Sequence, residues 1–303
     1  MENFKEIKPE NYSEFKKIFE NLKYELSYYS LSSVFMWDGC LQKVSYAFRD
    51  GTLLLAEIDL ENPEKKRLLM PVSEKEFPPS RLQEFLSACG YRYYYYAPED
   101  YVEKHRKELE TLFNVYEQAG CMDYVYNTED LALLKGGKYS KKRNLISQFE
   151  KNYVDNNLVE TLVLNKSNTG DITDFLAYWE KENPEDLRLD MKDCEKKAIK
   201  NALMYWEEYE LFGLSVYLEG KMAGFAIASR LTADTVTLNF EKGNKKIKGL
   251  YQFLDREFAK TLPSTCKFVN KEADMGKPGL VKAKESYYPV KKIKSYALEL
   301  KSA

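Results

Sequence analysis

The chain has 303 residues, of which 44% are hydrophobic and 31% charged, and its formal net charge at pH 7 is -2. This composition is typical of a folded protein with room for two domains of ordinary size. The small net charge excludes a broadly basic protein, so a nucleic-acid partner would need a local basic patch. No apolar run approaches the roughly 18 residues of a membrane span, and the polar start MENFKEIKPENYSEF lacks the apolar core of a signal peptide. We therefore expect no transmembrane segment and a cytoplasmic protein.

The counts of histidine and cysteine limit the chemistry. The one histidine, His105, lies in the charged helical pattern EDYVEKHRKELETLF, so any Ser-His-Asp or Cys-His mechanism would depend on a residue in a structural setting. The five cysteines are scattered, odd in number and never in a CxxC pair. This argues against a disulfide framework or a zinc site and favours buried apolar thiols. We expect no metal site, and an enzyme built on this sequence would use neither a histidine base nor a protein nucleophile.

The first half of the chain predicts alternating strands and helices. The pattern indicates a strand at 4–8, a helix at 11–22 and a hairpin of KVSYAF and TLLLAEI around Asp50-Gly51. A strand at 67–72, a helix at 79–88, the aromatic strand YRYYYYA and a helix at 100–113 follow. Two strands, MDYVYN and LALLK, are expected to end this half.

The second half repeats this order. It predicts a basic helix at 139–153, the alternating strand LVETLVL and helices at 171–181 and 193–209. A hairpin of FGLSVYL and KMAGFAIASRL around Glu219-Gly220, the strand TVTLNF, the loop EKGNKKIKG and the helix LYQFLDREFAKTL come next. The pattern ends with a strand at 267–270, a short helix at 279–285 and a closing strand at 291–300.

The shared order predicts an α/β (α+β) protein of two similar domains, each a mixed twisted sheet flanked by helices. The paired glycines Gly136-Gly137 favour a boundary there, which divides the chain into domains 1–137 and 138–303. Because sequence identity between the halves is weak, the duplication is inferred from the order of elements alone.

This element order resembles the GNAT acyltransferase fold in tandem, as in Fem-type aminoacyl transferases and the catalytic C-terminal domain of phosphatidylglycerol lysyltransferases. Three stretches are similar to an uncharacterised bacterial family related to that domain: DLALLKGGKYSKKRNLISQFEKNY at 130–153, IKGLYQFLDREFAK at 247–260 and FVNKEADMGKPGLVKAKESYYPV at 268–290. The resemblance implies two tandem GNAT-like domains, and it indicates the fold more closely than the substrate.

The resemblance also implies a cofactor loop between the fourth strand of a domain and the following helix. In GNAT enzymes its backbone N–H groups and the helix N-terminus hold the pyrophosphate of coenzyme A. The matching residues are Lys246, Ile247, Lys248, Gly249, Leu250 and Tyr251. Lys246 takes the basic position and Gly249 the first small one, whereas Tyr251 departs from the pattern. The matching loop of the first half, SEKEFPPS, has two prolines and no glycine, so we expect the first domain to lack a cofactor site.

Polar residues at two strand ends are the candidates for catalysis and binding. Glu241 follows the strand TVTLNF and is the candidate base, with a solvated loop carboxylate as the alternative. A tyrosine, Tyr287 or Tyr288, is the candidate proton donor to the leaving group, a role that the resemblance implies. Glu272 and Asp274 are candidates to bind an amine, although a polar turn before a helix explains them equally well. Further contacts to the cofactor are expected from Asn239, Phe240, Asn270 and Lys284.

These residues point to an acyltransferase that moves an acyl or aminoacyl group from acyl-coenzyme A, or alternatively from aminoacyl-tRNA, to an amine or hydroxyl acceptor. The acceptor is a small molecule or a lipid headgroup. A basic cluster suits a tRNA acceptor end or a phospholipid, or is an ordinary solvated helix face; its members are Lys138, Lys141, Lys142 and Arg143. The alternative is a non-catalytic binding or regulatory module that kept the fold.

Overall fold

The computed structural model describes residues 4–183 and 189–302, and these form two mixed seven-stranded sheets. The strands of the first sheet, in spatial order, are β1 (Lys5–Glu6), β2 (Gln42–Arg49), β3 (Thr52–Asp59), β4 (Lys66–Leu69), β5 (Tyr93–Pro98), β14 (Ser295–Leu300) and β6 (Phe113–Glu117). Those of the second are β8 (Val159–Val163), β9 (Phe212–Leu218), β10 (Lys221–Arg230), β11 (Thr235–Gly243), β12 (Phe268–Ala273), β7 (Asp123–Asn127) and β13 (Lys291–Ile293). The two orders match strand for strand.

Each half of the chain places its last strand in the sheet of the other half. β7 lies between β12 and β13 in the second sheet, and β14 lies between β5 and β6 in the first. Sheet membership therefore crosses the predicted boundary at residue 137 twice. The division into domains 1–137 and 138–303 stays a prediction. Each of these segments supplies one strand to the sheet that the other segment mainly forms.

Ten helices in the described residues cover the sheets. They are α1 (Tyr12–Phe19), α2 (Leu31–Met36), α3 (Pro79–Cys89), α4 (Glu99–Leu112), α5 (Thr128–Leu133), α6 (Ser140–Phe149), α7 (Gly170–Glu182), α8 (Leu189–Met204), α9 (Leu250–Thr261) and α10 (Pro278–Glu285). A π-helical turn, Glu150–Val154, extends α6. The predicted strand LALLK is wrong. Most of it lies in α5, whose turns pack Leu131 into the core beside α9.

One core joins the two halves. All six residues of α2 are buried, and they lie between the first half and α8, where the ring of Phe35 lies 5.8 Å from that of Tyr209. Polar contacts cross the same boundary: the hydroxyl oxygens of Ser30 and Ser229 are 2.7 Å apart. Because α2 is buried on both sides, we expect the two halves of the chain to unfold together.

A parallel strand pair lies at the centre of each sheet, β4 with β5 and β11 with β12. In the second sheet, pairing runs only from Thr235 opposite Phe268 to Thr237 opposite Asn270. Beyond this point β11 stays with β10 as far as Gly243, whereas β12 stays with β7. The strands therefore splay and open a cleft at their carboxyl ends.

The structure corrects the prediction that the cysteines form no disulfide. Cys40 and Cys194 are 154 positions apart in the chain, and their Cα atoms lie 5.0 Å apart in a disulfide that joins the segment after α2 to α8. Cys89, Cys121 and Cys266 remain thiols. Sequence spacing did not reveal the pair because the contact depends on the packing of α8 against α2.

We expect reduction of this disulfide to lower the free energy of unfolding by about 2–4 kcal/mol, because it releases the cross-link that restricts the unfolded chain. Alkylation of the denatured, unreduced protein is expected to modify Cys89, Cys121 and Cys266 but neither Cys40 nor Cys194. Cys40→Ser should remove the effect of reductant on stability. Modification of all the cysteines without prior reduction would show that the pair is held as thiols.

Candidate functional site

A cavity of about 510 Å³ fills the cleft between the splayed strands of the second sheet. β11 contributes Asn239 and Glu241 to its wall, and the end of β12 contributes Lys271 and Glu272. Further polar groups of the wall come from α6, α9, α10 and the turn after α10, among them Lys142, Tyr251, Asp255, Lys284 and Tyr287. The cavity is therefore lined by ionisable groups from segments far apart in the chain that only the fold brings together.

A buried ionic cluster lies in the wall of this cavity. The Lys271 ammonium lies 3.0 Å from Glu241 Oε2 and also pairs with Asp255. Burial and, after it, the charge of Asp255 raise the pKa of Glu241 to about 7, against the opposing effect of Lys271. Burial disfavours the charged form of Lys271, but Asp255 and Glu241 outweigh this and raise its pKa. The result is a carboxylate that exchanges a proton near neutral pH.

Glu272 and Lys284 form a second part of the wall. Glu272 has a φ of 57°, and Asn270 Oδ1 accepts a 2.7 Å hydrogen bond from its N–H. The Lys284 ammonium donates to the Glu272 carbonyl oxygen at 3.0 Å and to that of Lys271. Burial and the charge of Asp123 raise the pKa of Glu272 to about 8. Burial and the charge of Lys271 lower that of Lys284 to about 8.

Two of the predicted site residues hold the strand end in place. Asn270 donates to Asp123 Oδ2 at 2.8 Å and to the Glu25 carbonyl, which links β12 to β7 and to the first half. Asp274 accepts from the Tyr124 hydroxyl at 2.6 Å and from Gly276 N–H at 2.7 Å. Neither lines the cavity. The hydrogen bonds of Asn270 and Asp274 instead hold the end of β12 in place, and this allows Glu272 to keep its positive φ.

Much of the predicted pyrophosphate loop is engaged in contacts within the protein. A Cβ at Gly249 would lie 2.2 Å from the Leu145 carbonyl oxygen, because α6 packs against the start of α9. The N–H groups of Lys246, Ile247 and Leu250 already donate within the loop. The exposed Lys246 ammonium pairs with Glu182. The Leu145 carbonyl oxygen therefore lies against Gly249, and a substitution there would displace α6 rather than test phosphate binding.

Tyr251 stands where the GNAT pattern has a small residue, and its contacts explain part of this difference. Its hydroxyl accepts from the Gly243 N–H at 3.0 Å and donates to the Gly243 carbonyl at 3.1 Å, so it closes the end of β11. The indole N–H of Trp179 donates to the same carbonyl at 3.0 Å. A glycine or alanine at 251 would leave the end of β11 without the two contacts to the tyrosine hydroxyl.

The fold brings together six of the predicted site residues in the cavity wall: Asn239, Glu241, Tyr251, Glu272, Lys284 and Tyr287. The others do not line it; these are Phe240, Lys246, Ile247, Lys248, Gly249, Leu250, Asn270 and Asp274. No role was predicted for Lys271 or Asp255. The sequence does contain an indication for Asp255, because this residue follows Phe253 and Leu254 on the buried face of α9. A carboxylate at such a position needs a buried partner.

The four residues of the predicted basic cluster have different surroundings. Lys142 donates to Ser286 Oγ at 2.6 Å and lies 3.9 Å from the Tyr287 ring centroid, in the cavity wall. Arg143 donates to the carbonyls of Leu134 and Gly136. Lys138 lies 3.7 Å from Asp130, and Lys141 is exposed. Three of the four side chains therefore have partners within the protein, and a tRNA contact through all four stays a prediction.

A second cavity, of about 350 Å³, adjoins the first. It lies at the splayed strands of the first sheet, where Leu69 and Tyr96 line it. Glu272, Ala273 and Met275 line both cavities, so the two are in contact at the end of β12.

Two further properties of the described residues bear on the class of protein. No group of three or more histidine, cysteine, aspartate or glutamate side chains among them has the arrangement to hold a metal ion. Among the same residues, none of the helices combines the length and apolarity that crossing a bilayer requires.

Two sheets with matching order, each with a central splayed parallel pair, define a tandem protein of the GNAT fold. A tandem GNAT protein from the clavulanic acid biosynthesis pathway has this fold, with a TM-score of 0.51, 6% identity and 100% of both chains covered. The model of the family described as phosphatidylglycerol lysyltransferase, C-terminal, matches residues 19–299, and the chain belongs to this family. The resemblance inferred from the sequence and the predicted fold are both confirmed.

Two solved structures are similar over nearly the whole chain. A conserved protein of unknown function from Bacteroides thetaiotaomicron is 26% identical, with a TM-score of 0.89 and coverage of 99% of this chain and 100% of that one. The C-terminal domain of a putative lysylphosphatidylglycerol synthetase from Agrobacterium fabrum is 14% identical, with a TM-score of 0.62 and coverage of 95% and 91%. None of the curated proteins compared with the chain matches it.

Proposed function

We propose that the protein is a GNAT-type acyltransferase that moves an aminoacyl or acyl group from an activated donor to an amine or hydroxyl acceptor in the cavity between β11 and β12. The observation that carries this proposal is a carboxylate, Glu241, whose pKa is raised to about 7 in the wall of a cavity formed by the splayed strands. A base whose pKa lies near the working pH is suited to take a proton from the acceptor.

The reaction is a direct displacement at the donor carbonyl carbon. The acceptor nitrogen or oxygen forms a bond to this carbon as its proton passes to Glu241, and the bond from the carbon to the donor oxygen or sulfur breaks. Tyr287 is the proton donor to the leaving group: it is 6% exposed, and burial together with the charge of Asp255 raises its pKa. Its hydroxyl therefore keeps its proton at neutral pH.

The donor best supported is an aminoacyl ester carried by tRNA. The loop that would hold a pyrophosphate faces the Leu145 carbonyl oxygen, which disfavours coenzyme A at that position. Lysyl transfer to phosphatidylglycerol is the activity named in the description of the family, and an ester donor agrees with it. A tRNA donor would place the reaction in the cytoplasm. The acceptor is a small molecule or a lipid headgroup.

A comparison of the two donors tests this proposal. We expect millimolar coenzyme A and acetyl-coenzyme A to leave the melting temperature unchanged, because a ligand raises it only by binding the folded state. Aminoacyl-tRNA is expected to bind, more weakly as salt rises because counterions are released. Lys141→Gln should weaken this binding. The matched control is Lys166→Gln, which changes an exposed lysine near the start of α7. A clear shift with coenzyme A would overturn the choice of donor.

A non-catalytic module is the second candidate. It is favoured by Tyr251, whose side chain closes the end of β11 instead of leaving room for a cofactor. Binding of aminoacyl-tRNA without transfer to any acceptor, or binding of neither donor, would favour this reading over catalysis.

A further inference from the structure

We propose that the contact zone between the two cavities is the acceptor site, and that the acceptor is a primary amine with a compact apolar body: the amine binds Glu272 and Asn239, and the body fills the second cavity. This inference rests on the proposed function, because it names the substrate that would receive the acyl group. It is derived from four features of the zone.

The first feature is an unsatisfied acceptor. Asn239 is 6% exposed, and its amide nitrogen donates to Ser33 Oγ at 2.8 Å and to Glu272 Oε1 at 3.2 Å. Its carbonyl oxygen, Oδ1, is buried and has no hydrogen-bond partner among the described residues. A buried acceptor without a donor costs free energy, and a ligand N–H would satisfy it.

The second feature is the position of Asn239 in a β-bulge. Ile227 of β10 pairs with Phe240 and Ala228 pairs with Leu238, so Asn239 is the extra residue of β11. A bulge re-aims a side chain and is common beside functional sites. It places Asn239 in the wall of the first cavity along with Glu241.

The third feature is charge. The Glu272 carboxylate lies in both cavity walls, and burial and the charge of Asp123 disfavour its ionised form. The Lys284 ammonium is directed to the backbone carbonyls of Lys271 and Glu272. The other carboxylate of the second cavity, Glu57, already has a partner, since Arg67 Nε lies 2.7 Å from its Oε2. A cationic amine is therefore the ligand that complements Glu272, and the ammonium passes one proton to the Glu272 carboxylate before the neutral nitrogen attacks the donor.

The fourth feature is the apolar wall of the second cavity. Val34, Trp37, Leu41 and Leu69 line it, and Tyr28 and Tyr96 stack there with ring centroids 3.5 Å apart. A volume of about 350 Å³ is near the lower end of the roughly 300–1,000 Å³ of small-molecule pockets. The space suits one aromatic ring or a short aliphatic chain on the amine.

Calorimetric titration with phenethylamine, in the absence of any donor, tests this inference on the full chain. The matched probe is 2-phenylethanol, which has the same ring and a hydroxyl in place of the amine. We expect phenethylamine to bind at least about tenfold more tightly, since hydrogen bonds to charged groups are the stronger ones. Binding should strengthen as the pH rises towards 8, because Glu272 then becomes ionised. Equal affinity for the two probes would overturn the proposal.

Two variants and a control locate the site. Glu272→Gln should weaken phenethylamine at least about tenfold and leave 2-phenylethanol unchanged. Leu41→Trp fills the second cavity from its half-buried edge and should weaken both probes. Leu133→Trp is the control, because Leu133 is 44% exposed on α5 and lines neither cavity. Binding of phenethylamine that neither variant weakens would overturn the assignment.

Transfer assays separate this inference from the proposed function. If the protein aminoacylates a hydroxyl acceptor but does not bind phenethylamine, the proposed acyltransferase function stands and the proposed amine site is rejected. Binding of phenethylamine that depends on Glu272 and Leu41, without transfer from any donor, would keep the binding site but reject both catalysis and its role as an acceptor site. Transfer to phenethylamine that is lost in Glu272→Gln supports both.

Discussion

Replacement of Lys271 by methionine is expected to lower the free energy of unfolding by about 3–5 kcal/mol, because removal of one partner of a buried ion pair leaves uncompensated charge. The Lys271 ammonium lies between Glu241, at 3.0 Å, and Asp255. The Asp255 side chain is 6% exposed and that of Glu241 is 16% exposed, so solvent compensates only in part for loss of the ammonium. Methionine has a side chain of similar length, so the loss of stability reflects the missing charge and not a change in packing. Chemical denaturation measures it.

A second change in the same background tests this explanation. Addition of Glu241→Gln and Asp255→Asn to Lys271→Met removes both carboxylates and should recover most of the lost stability. The control Lys282→Met changes an exposed lysine on α10 and should shift stability by less than about 0.5 kcal/mol. Failure of the triple variant to regain stability would show that Lys271 acts through packing.

Replacement of Glu241 by glutamine is expected to lower the rate constant of acyl transfer by about 10²–10⁴-fold, the usual contribution of a general base. The base acts when ionised, so the wild-type rate should rise with pH through about 7, the pKa to which burial and Asp255 raise Glu241. The variant should lack this rise. Single-turnover transfer from an aminoacyl-tRNA donor, followed across pH, separates the chemical step from product release.

The control for this variant is Glu219→Gln, in the exposed turn between β9 and β10. It makes the same change of charge outside the cavity, so its rate and pH profile should equal those of the wild type. A folded Glu241→Gln protein that keeps the wild-type rate and the rise near pH 7 would assign the base elsewhere, with Glu272 as the next candidate in the cavity wall.

Local patterns predicted most of the elements correctly because each element has its own periodicity. The hairpin around Glu219-Gly220 forms from β9 and β10 as its alternation and turn indicated. The segment LALLK shows the limit. Its short apolar run suits a strand or a helix, and the contact with α9 decided in favour of the helix.

The candidate site was only partly predictable, because local patterns do not contain the contacts between distant elements. Glu241 and Glu272 could be named because they lie at the ends of predicted strands, where this fold opens its cleft. Lys271 and Asp255 received no role, because their pairing joins β12 to α9 and no spacing in the sequence expresses it. Asn239 was named, but its unpaired oxygen depends on the bulge between β10 and β11.

The amino-acid sequence was sufficient to predict the composition class, the order of strands and helices, the resemblance to the family and the strand ends that carry polar residues. These properties follow from local periodicity and from motifs that contiguous residues contain. Three further features required the folded chain: β7 and β14 exchange sheets, Cys40 is bonded to Cys194, and the glycine of the expected cofactor loop faces Leu145. Each of these depends on contacts between residues far apart in the chain, whose free energy comes from the burial of shared surfaces.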